Sequence, residues 1–236
     1  MEKTSQKQQI SWVTYTIIVL CILAFIQELR DSSSGWAISN QAMYKLGVGL
    51  PTNIAKPTDL AGVGRVLAFC WLQPRFWTSM WLHGGYAHIL SNMFFLLIAG
   101  KILEPCFGHL RFLLIYLLSG WLGDMTASVF AKQASLGAST ALFGILLAGF
   151  SLGVMLHNRN LRNQTMGLFV FNLILDFMVP QSISLWGHLG GALAGICLGF
   201  VLRPNWQHQW YEKLSFEIPA SLVVASLLCL LIVYVS

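Results

Sequence analysis

The sequence predicts an all-α polytopic membrane protein. Three observations carry that reading. Hydrophobic residues make up 56 % of the 236 residues and charged residues only 10 %, against about 25 % charge in soluble domains. Seven apolar segments are long enough to cross a bilayer, or nearly so, at about 20 residues per crossing. None of them shows the alternation of a barrel strand, so helices must satisfy their backbone groups within the lipid.

The first segment, 12–29, follows MEKTSQKQQ. It lacks an A-x-A-like cleavage site, so a retained helix is expected and not a removed signal peptide. A long loop, about residues 30–82, comes next. Its second half, VLAFCWLQPRFWTSMWLHGG, interleaves Trp71, Trp77 and Trp81 with apolar residues, which suits a segment lying at the membrane surface with its indoles as anchors. Further crossings are expected at 84–103, 110–130, 138–156, 165–180, 184–202 and 218–235. Trp12, Trp186, Trp206 and Trp210 stand near helix ends and read as interfacial anchors. The organisation expected is a short cytoplasmic segment (1–11), a six-helix core (12–203), and a linker with a seventh helix (204–236).

Charge sets the orientation. With the N-terminus cytoplasmic, Lys3, Lys7, Lys101, Arg111, Arg159, Arg162, Arg203 and Lys213 fall inside, and Lys132 alone falls in the short outside loops, as the positive-inside rule favours. The long first loop adds Arg30, Lys45, Lys56, Arg65 and Arg75 outside, but loops of that length carry a weak vote. The net charge of +5 thus reports membrane orientation, and no nucleic-acid partner is expected. The five cysteines (Cys21, Cys70, Cys106, Cys197, Cys229) show no C-x-x-C spacing, so neither a disulfide framework nor a metal site is indicated, and no cofactor is expected.

Polar and ionisable groups at membrane depth are costly and mark function. The candidates are His88, Asn92, Asp124, Ser139, Asp176 and His188. The second, fourth and sixth helices run in one direction, and His88, Asn92, Ser139 and His188 fall within about the first ten residues of those helices. At about 1.5 Å per residue they share a depth roughly 2 to 13 Å below the outer ends. Ser139, in LGASTALFG, is a weak nucleophile until a base within hydrogen-bond reach takes its proton. His188, in WGHLGGALAGICLG, can be that base, and Gly190, Gly191, Gly195 and Gly199 let its helix approach closely. His88 and Asn92, four apart in HGGYAHILSN, share one helix face and suit an oxyanion, as does the Ser139 backbone N–H. His83 stands at the mouth of the same helix, where it supports the site or merely packs.

HGGYAHILSN, LEPCFGHLRFLLIYLLSG, GASTALFG and HLGGALAG, in that order, resemble the motif set of the rhomboid intramembrane serine proteases over about residues 70–203. The resemblance implies a six-helix bundle, here with an added C-terminal helix. It implies Ser139 as nucleophile, His188 as general base, His88 and Asn92 as oxyanion donors, and Phe143 as the aromatic stacked on the histidine. Glu104, Gly108 and Arg111 match a stretch that structures the turn from second to third helix. Arg75 and Phe76 are similar to the first-loop Trp-Arg element, with its Trp absent, and Thr140 stands where the family usually has glycine, narrowing the site. The substrates implied are transmembrane proteins in contact with membrane lipids, admitted past the fifth helix and the loop Gln181 to Trp186 beside Pro180. No third acid is expected to orient His188.

Four rivals are weaker. Asp124 and Asp176 could form a membrane aspartyl pair, but their WLGD and LILD settings lack the Tyr-Asp and Gly-x-Gly-Asp order, and both acids are expected near water. A zinc protease lacks its H-E-x-x-H. A non-catalytic rhomboid-like binder would lack the serine or histidine, and a transporter would show repeated halves.

Overall fold

The computed structural model describes residues 10–32, 38–51, 58–131, 134–178, 184–202 and 210–235. Among these the chain is helical, with one isolated two-residue bridge. In order come α1 (Trp12–Asp31), α2 (Asn40–Leu46), α3 (Leu60–Leu72), α4 (Arg75–Thr78), a 3-10 turn (Ser79–Trp81), α5 (Tyr86–Phe107), α6 (His109–Phe130), α7 (Ser139–Met155), α8 (Arg159–Met178), α9 (Leu185–Val201) and α10 (Trp210–Val235). The protein is an all-α polytopic membrane protein. By length and composition α1, α5, α6 and the Phe216–Val235 part of α10 can each cross a membrane.

The remaining core helices depart from the expected bounds for physical reasons. α8 starts at Arg159 with a polar first turn, earlier than its apolar stretch, because a helix can extend past the hydrocarbon where water meets it. Its expected end at 179–180 lies outside the described residues, as do Gln181 to Ile183 of the loop and residues 203–209 of the linker. α7 and α9 have 17 residues each, which at about 1.5 Å per residue is roughly 25 Å, less than a hydrocarbon core of about 30 Å. The neighbouring α5 and α6 have 22 residues each. The starts of α7 and α9 carry Ser139 and His188.

α7 is buried along nearly its whole length and packs on α5, α6, α8 and α9. Small residues permit it. A Cβ on Gly195 of α9 would overlap the Gly144 carbonyl of α7, and one on Gly191 would overlap the Thr140 carbonyl, so the two backbones meet with no side chain between them.

At the end of the bundle away from Ser139, α5 stops at Gly108, whose φ of +82° suits glycine. Glu104, in the last turn of α5, reaches across to cap α1. Its carboxylate accepts from Val13 N–H at 2.9 Å, Thr14 N–H at 2.8 Å and Thr14 Oγ at 2.6 Å, satisfying donors that the start of a helix leaves open. Arg111 donates Nε to Glu217 of α10 at 2.7 Å, both side chains buried. The turn between α5 and α6 is therefore where α1 and α10 are fastened.

The first loop differs from expectation. Trp71 and Trp77 do not stand as free membrane anchors but fold onto α6: the Trp71 ring stacks on Trp121 at 4.2 Å and 16°, with Trp77 stacked beside both. Half-buried indoles need acceptors, and these exist on the bundle. Trp121 donates to Cys70 O at 2.9 Å, Trp77 to Trp71 O at 2.9 Å, and Trp71 to Ser226 Oγ of α10 at 3.1 Å. Leu60, Phe69 and Leu72 of α3 are the apolar side chains left exposed there. Arg75 donates to the carbonyls of Tyr44 and Val48 at 3.3 and 3.0 Å, closing the loop on itself without the missing Trp.

Candidate active site

Ser139 is the first residue of α7 because the chain before it cannot be helical. Ser135 exchanges backbone hydrogen bonds with Gly49 of the first loop at 2.9 and 3.0 Å, and Gly137 N–H donates to Ser79 O at 2.9 Å. Gly137 itself has φ +115°, a left-handed value that disfavours other residues. The serine is thus delivered on a turn pinned by the first loop.

His188 sits one turn into α9, whose start is capped by Ser184 Oγ accepting from Gly187 N–H at 3.3 Å. His188 Nε2 lies 3.0 Å from Ser139 Oγ, within hydrogen-bond range. The histidine is 2 % and the serine 5 % exposed, so the pair is held away from bulk solvent. Phe143, one turn after Ser139, stacks on the imidazole with centroids 4.2 Å apart and planes at 8°. Its other side meets Phe169 of α8 at 5.0 Å.

His88 and Asn92 reach the same turn from α5. A Cβ on Gly137 would stand 2.8 Å from His88 Nε2 and 3.7 Å from Asn92 Nδ2, so both side chains border the backbone two residues before the serine. Asn92 Nδ2 spends one hydrogen on His88 O at 3.1 Å and has a second to give. His83 is buried behind His88, ring centroids 5.3 Å apart. It does not touch Ser139 in any recorded contact. Burial pushes its pKa down to about 3, helped by His88 and opposed by the Trp81 carbonyl. Neutral His83 places Nδ1 3.1 Å from that carbonyl, an oxygen that can only accept, so the proton is on Nδ1.

Three acids matter more than the sequence suggested. Glu28, in the last turn of α1 and fully buried, accepts the His83 backbone N–H on both oxygens at 2.9 and 3.0 Å. It holds the chain that leads into α5. An acid inside an apolar segment was itself the signal that could have found it. Asp124, expected near water, is fully buried under the first loop and accepts from Ser79 Oγ at 2.6 Å and Ser135 Oγ at 3.2 Å. Asp176 lies 3.4 Å from His188 Nδ1, so an acid does stand behind the histidine, contrary to expectation. Asp124 and Asp176 serve different partners. Thr140 does not narrow the site as expected: its side chain fills the space above Gly123 and Gly187, between α6 and α9.

Comparisons with known proteins place the chain in a family. The rhomboid domain profile matches residues 72–205, the stretch holding α5 to α9 and the serine and histidine. "RHOMBOID-like protein 6, mitochondrial" of Arabidopsis thaliana is 38 % identical over 141 residues, 57 % of this chain and 45 % of that protein. "Rhomboid protease GluP" of Bacillus subtilis is 39 % identical over 188 residues, 77 % of this chain and 33 % of that protein. "Inactive RHOMBOID-like protein 8" of Arabidopsis thaliana is 34 % identical over 128 residues, 51 % of this chain and 35 % of that protein. The chain spans less than half the length of these relatives. Because the profile covers more than half of the chain, and covers the helices that build the site, the chain belongs to the rhomboid family.

Proposed function

We propose that this protein is an intramembrane serine endopeptidase that cleaves transmembrane segments of membrane proteins. The observation that carries the reading is the buried approach of His188 Nε2 to Ser139 Oγ at 3.0 Å. A serine hydroxyl gains nucleophilicity when a neutral imidazole can take its proton.

In the proposed reaction a substrate segment comes in sideways past α8 and unwinds locally near the outer end of the bundle, where it presents a carbonyl carbon to Ser139 Oγ. As the C–O bond forms, the hydroxyl proton passes to His188 Nε2. The oxyanion is met by His88, by the second N–H of Asn92, and by the Ser139 backbone N–H, which a helix start leaves open. His188 then gives its proton to the departing amine and the peptide C–N bond breaks. Water from the outer end hydrolyses the acyl-enzyme with His188 again as base. Phe143 holds the imidazole plane, and His83, fixed to Glu28, supports His88 from behind. The N-terminus is cytoplasmic, the C-terminus external, and the site opens outward, in a bacterial plasma membrane. The lysine and arginine distribution supports this orientation, and the long match to the Bacillus protein supports the setting.

A fluorophosphonate reagent tests the proposal directly. Wild-type protein is expected to label at Ser139, and Ser139→Ala and His188→Ala are expected to lose both labelling and substrate cleavage. Equal labelling of wild type and Ser139→Ala would instead favour a non-catalytic member, as the name of one relative describes.

A further inference from the structure

We propose that Asp176 is a positioning residue for His188, a third side chain that orients the serine and histidine pair. The inference rests on the serine hydrolase reading above and extends it to a third helix. Asp176 Oδ2 lies 3.4 Å from His188 Nδ1, on the ring edge opposite the one that faces Ser139. Both atoms are shielded from solvent, and neither has a hydrogen-bond partner among the described residues. A buried donor and a buried acceptor left unmade are costly, and here the two lie 3.4 Å apart, close enough for a small turn of either side chain to join them.

The helix geometry makes the contact repeatable. Phe169 and Asp176 are seven residues apart on α8 and therefore share a face. Phe169 packs on Phe143, and Asp176 reaches the histidine that Phe143 covers, so α8 supports the imidazole through both its plane and its edge.

In the reaction the carboxylate keeps its charge and accepts from Nδ1–H throughout. That bond selects the tautomer with the lone pair of Nε2 toward Ser139, and it stabilises the imidazolium formed when the serine proton arrives. No proton moves to Asp176. Among the described residues the other titratable group beside His188 is His88 of α5; α6, packed against α9, carries Asp124, which is held by Ser79 and Ser135, and α7 presents Ser139 and the uncharged Phe143.

The test uses the full chain in detergent and compares wild type, Asp176→Asn, Asp176→Glu and Ser139→Ala. The readout is the rate of fluorophosphonate labelling against pH, since a small reagent does not depend on how α8 admits a substrate. Asp176→Asn is expected to label about 10- to 100-fold more slowly, a smaller loss than in tightly bonded triads because this contact is longer. Its acidic limb is expected to move to lower pH, because removing the anion makes the imidazolium easier to deprotonate. Asp176→Glu is expected to recover part of the rate and the position of the limb. An unchanged rate and pH profile in Asp176→Asn, with Ser139→Ala inert, would overturn the proposal and leave the serine and histidine reading standing. Labelling of Ser139→Ala would overturn that reading instead. Nitrogen NMR of histidine-labelled wild type needs no variant: above neutral pH His188 should carry its proton on Nδ1, and a proton on Nε2 would overturn the proposal.

Discussion

Asn92 shows how much one side chain contributes when its neighbours can do part of the same work. One of its amide hydrogens is spent on His88 O, and the other is the one offered to a developing oxyanion. Removing such a donor costs about 2.7 to 4 kcal/mol elsewhere, but His88 and a backbone N–H remain here. Asn92→Ala should therefore lower kcat by about 10- to 100-fold with little change in KM. Its thermal midpoint should stay close to wild type, since the lost bond is local and a hydrogen bond contributes only about 1 kcal/mol. Steady-state cleavage of a transmembrane substrate checks this, and a wild-type kcat would remove Asn92 from the oxyanion role. At this scale the sequence was informative about type and poor about partners. Ser139, His188, His88 and Asn92 could be placed at one depth because helix rise is regular. Asp176 was dismissed although it and His188 stand equally far from the middle of the chain joining α8 to α9, which in an antiparallel hairpin puts them at one level. Glu28 stands in the last turn of α1, where an acid reads as one already at the water boundary, and only its bond to the His83 backbone shows its role.

Helices stand or fall here on how closely their backbones approach. Gly195 lies two turns beyond His188 on α9 and rests against Gly144, just over a turn beyond Ser139 on α7. A methyl at Gly195 has backbone against it and nothing flexible to displace, so α9 must move outward. Gly195→Ala should cost about 1 to 3 kcal/mol or more and lengthen the serine to histidine approach, lowering both the thermal midpoint and the labelling rate. Gly167 of α8 is the contrast. Nothing lies within 4 Å of a Cβ built there, so Gly167→Ala should hold or slightly raise the midpoint, helix propensity favouring alanine by about 1 kcal/mol. Equal effects of the two substitutions would mean that the close contact of α7 and α9 is not what sets the site. The glycine stripe was visible in the sequence, but which helix it met was not, because spacing defines a face and not its partner. The tryptophans of the first loop are ambiguous for a related reason: amphipathic rings suit a membrane interface and a stacked protein surface equally well, and only the Trp121 ring of α6 and the Ser226 acceptor of α10 decide between them.

At the scale of the whole molecule, seven apolar segments were legible from hydropathy alone, and four of the described helices are long and apolar enough to cross a membrane, yet nothing in hydropathy said how α10 is held. The structure fastens α10 by a buried pair, Arg111 with Glu217, at the turn where Glu104 also caps α1. Such a pair contributes little net stability, because desolvating two charges offsets most of their attraction, whereas removing one partner strands the other at a cost of about 3 to 5 kcal/mol. Glu217 is poorly placed to tolerate that, since its Oε1 has no hydrogen-bond partner among the described residues. Arg111→Met should therefore lower the thermal midpoint strongly, and adding Glu217→Leu should restore much of the loss by converting the site to an apolar contact. Labelling of Ser139, at the opposite end of the bundle, should follow the folded fraction and not the charge. Thermal unfolding of both single variants and the double variant in one detergent measures the coupling. A double variant that falls by the sum of the two singles would show that α10 is docked by its apolar contacts with α3, α6 and α9, and that the pair is incidental to how the seventh helix joins the core.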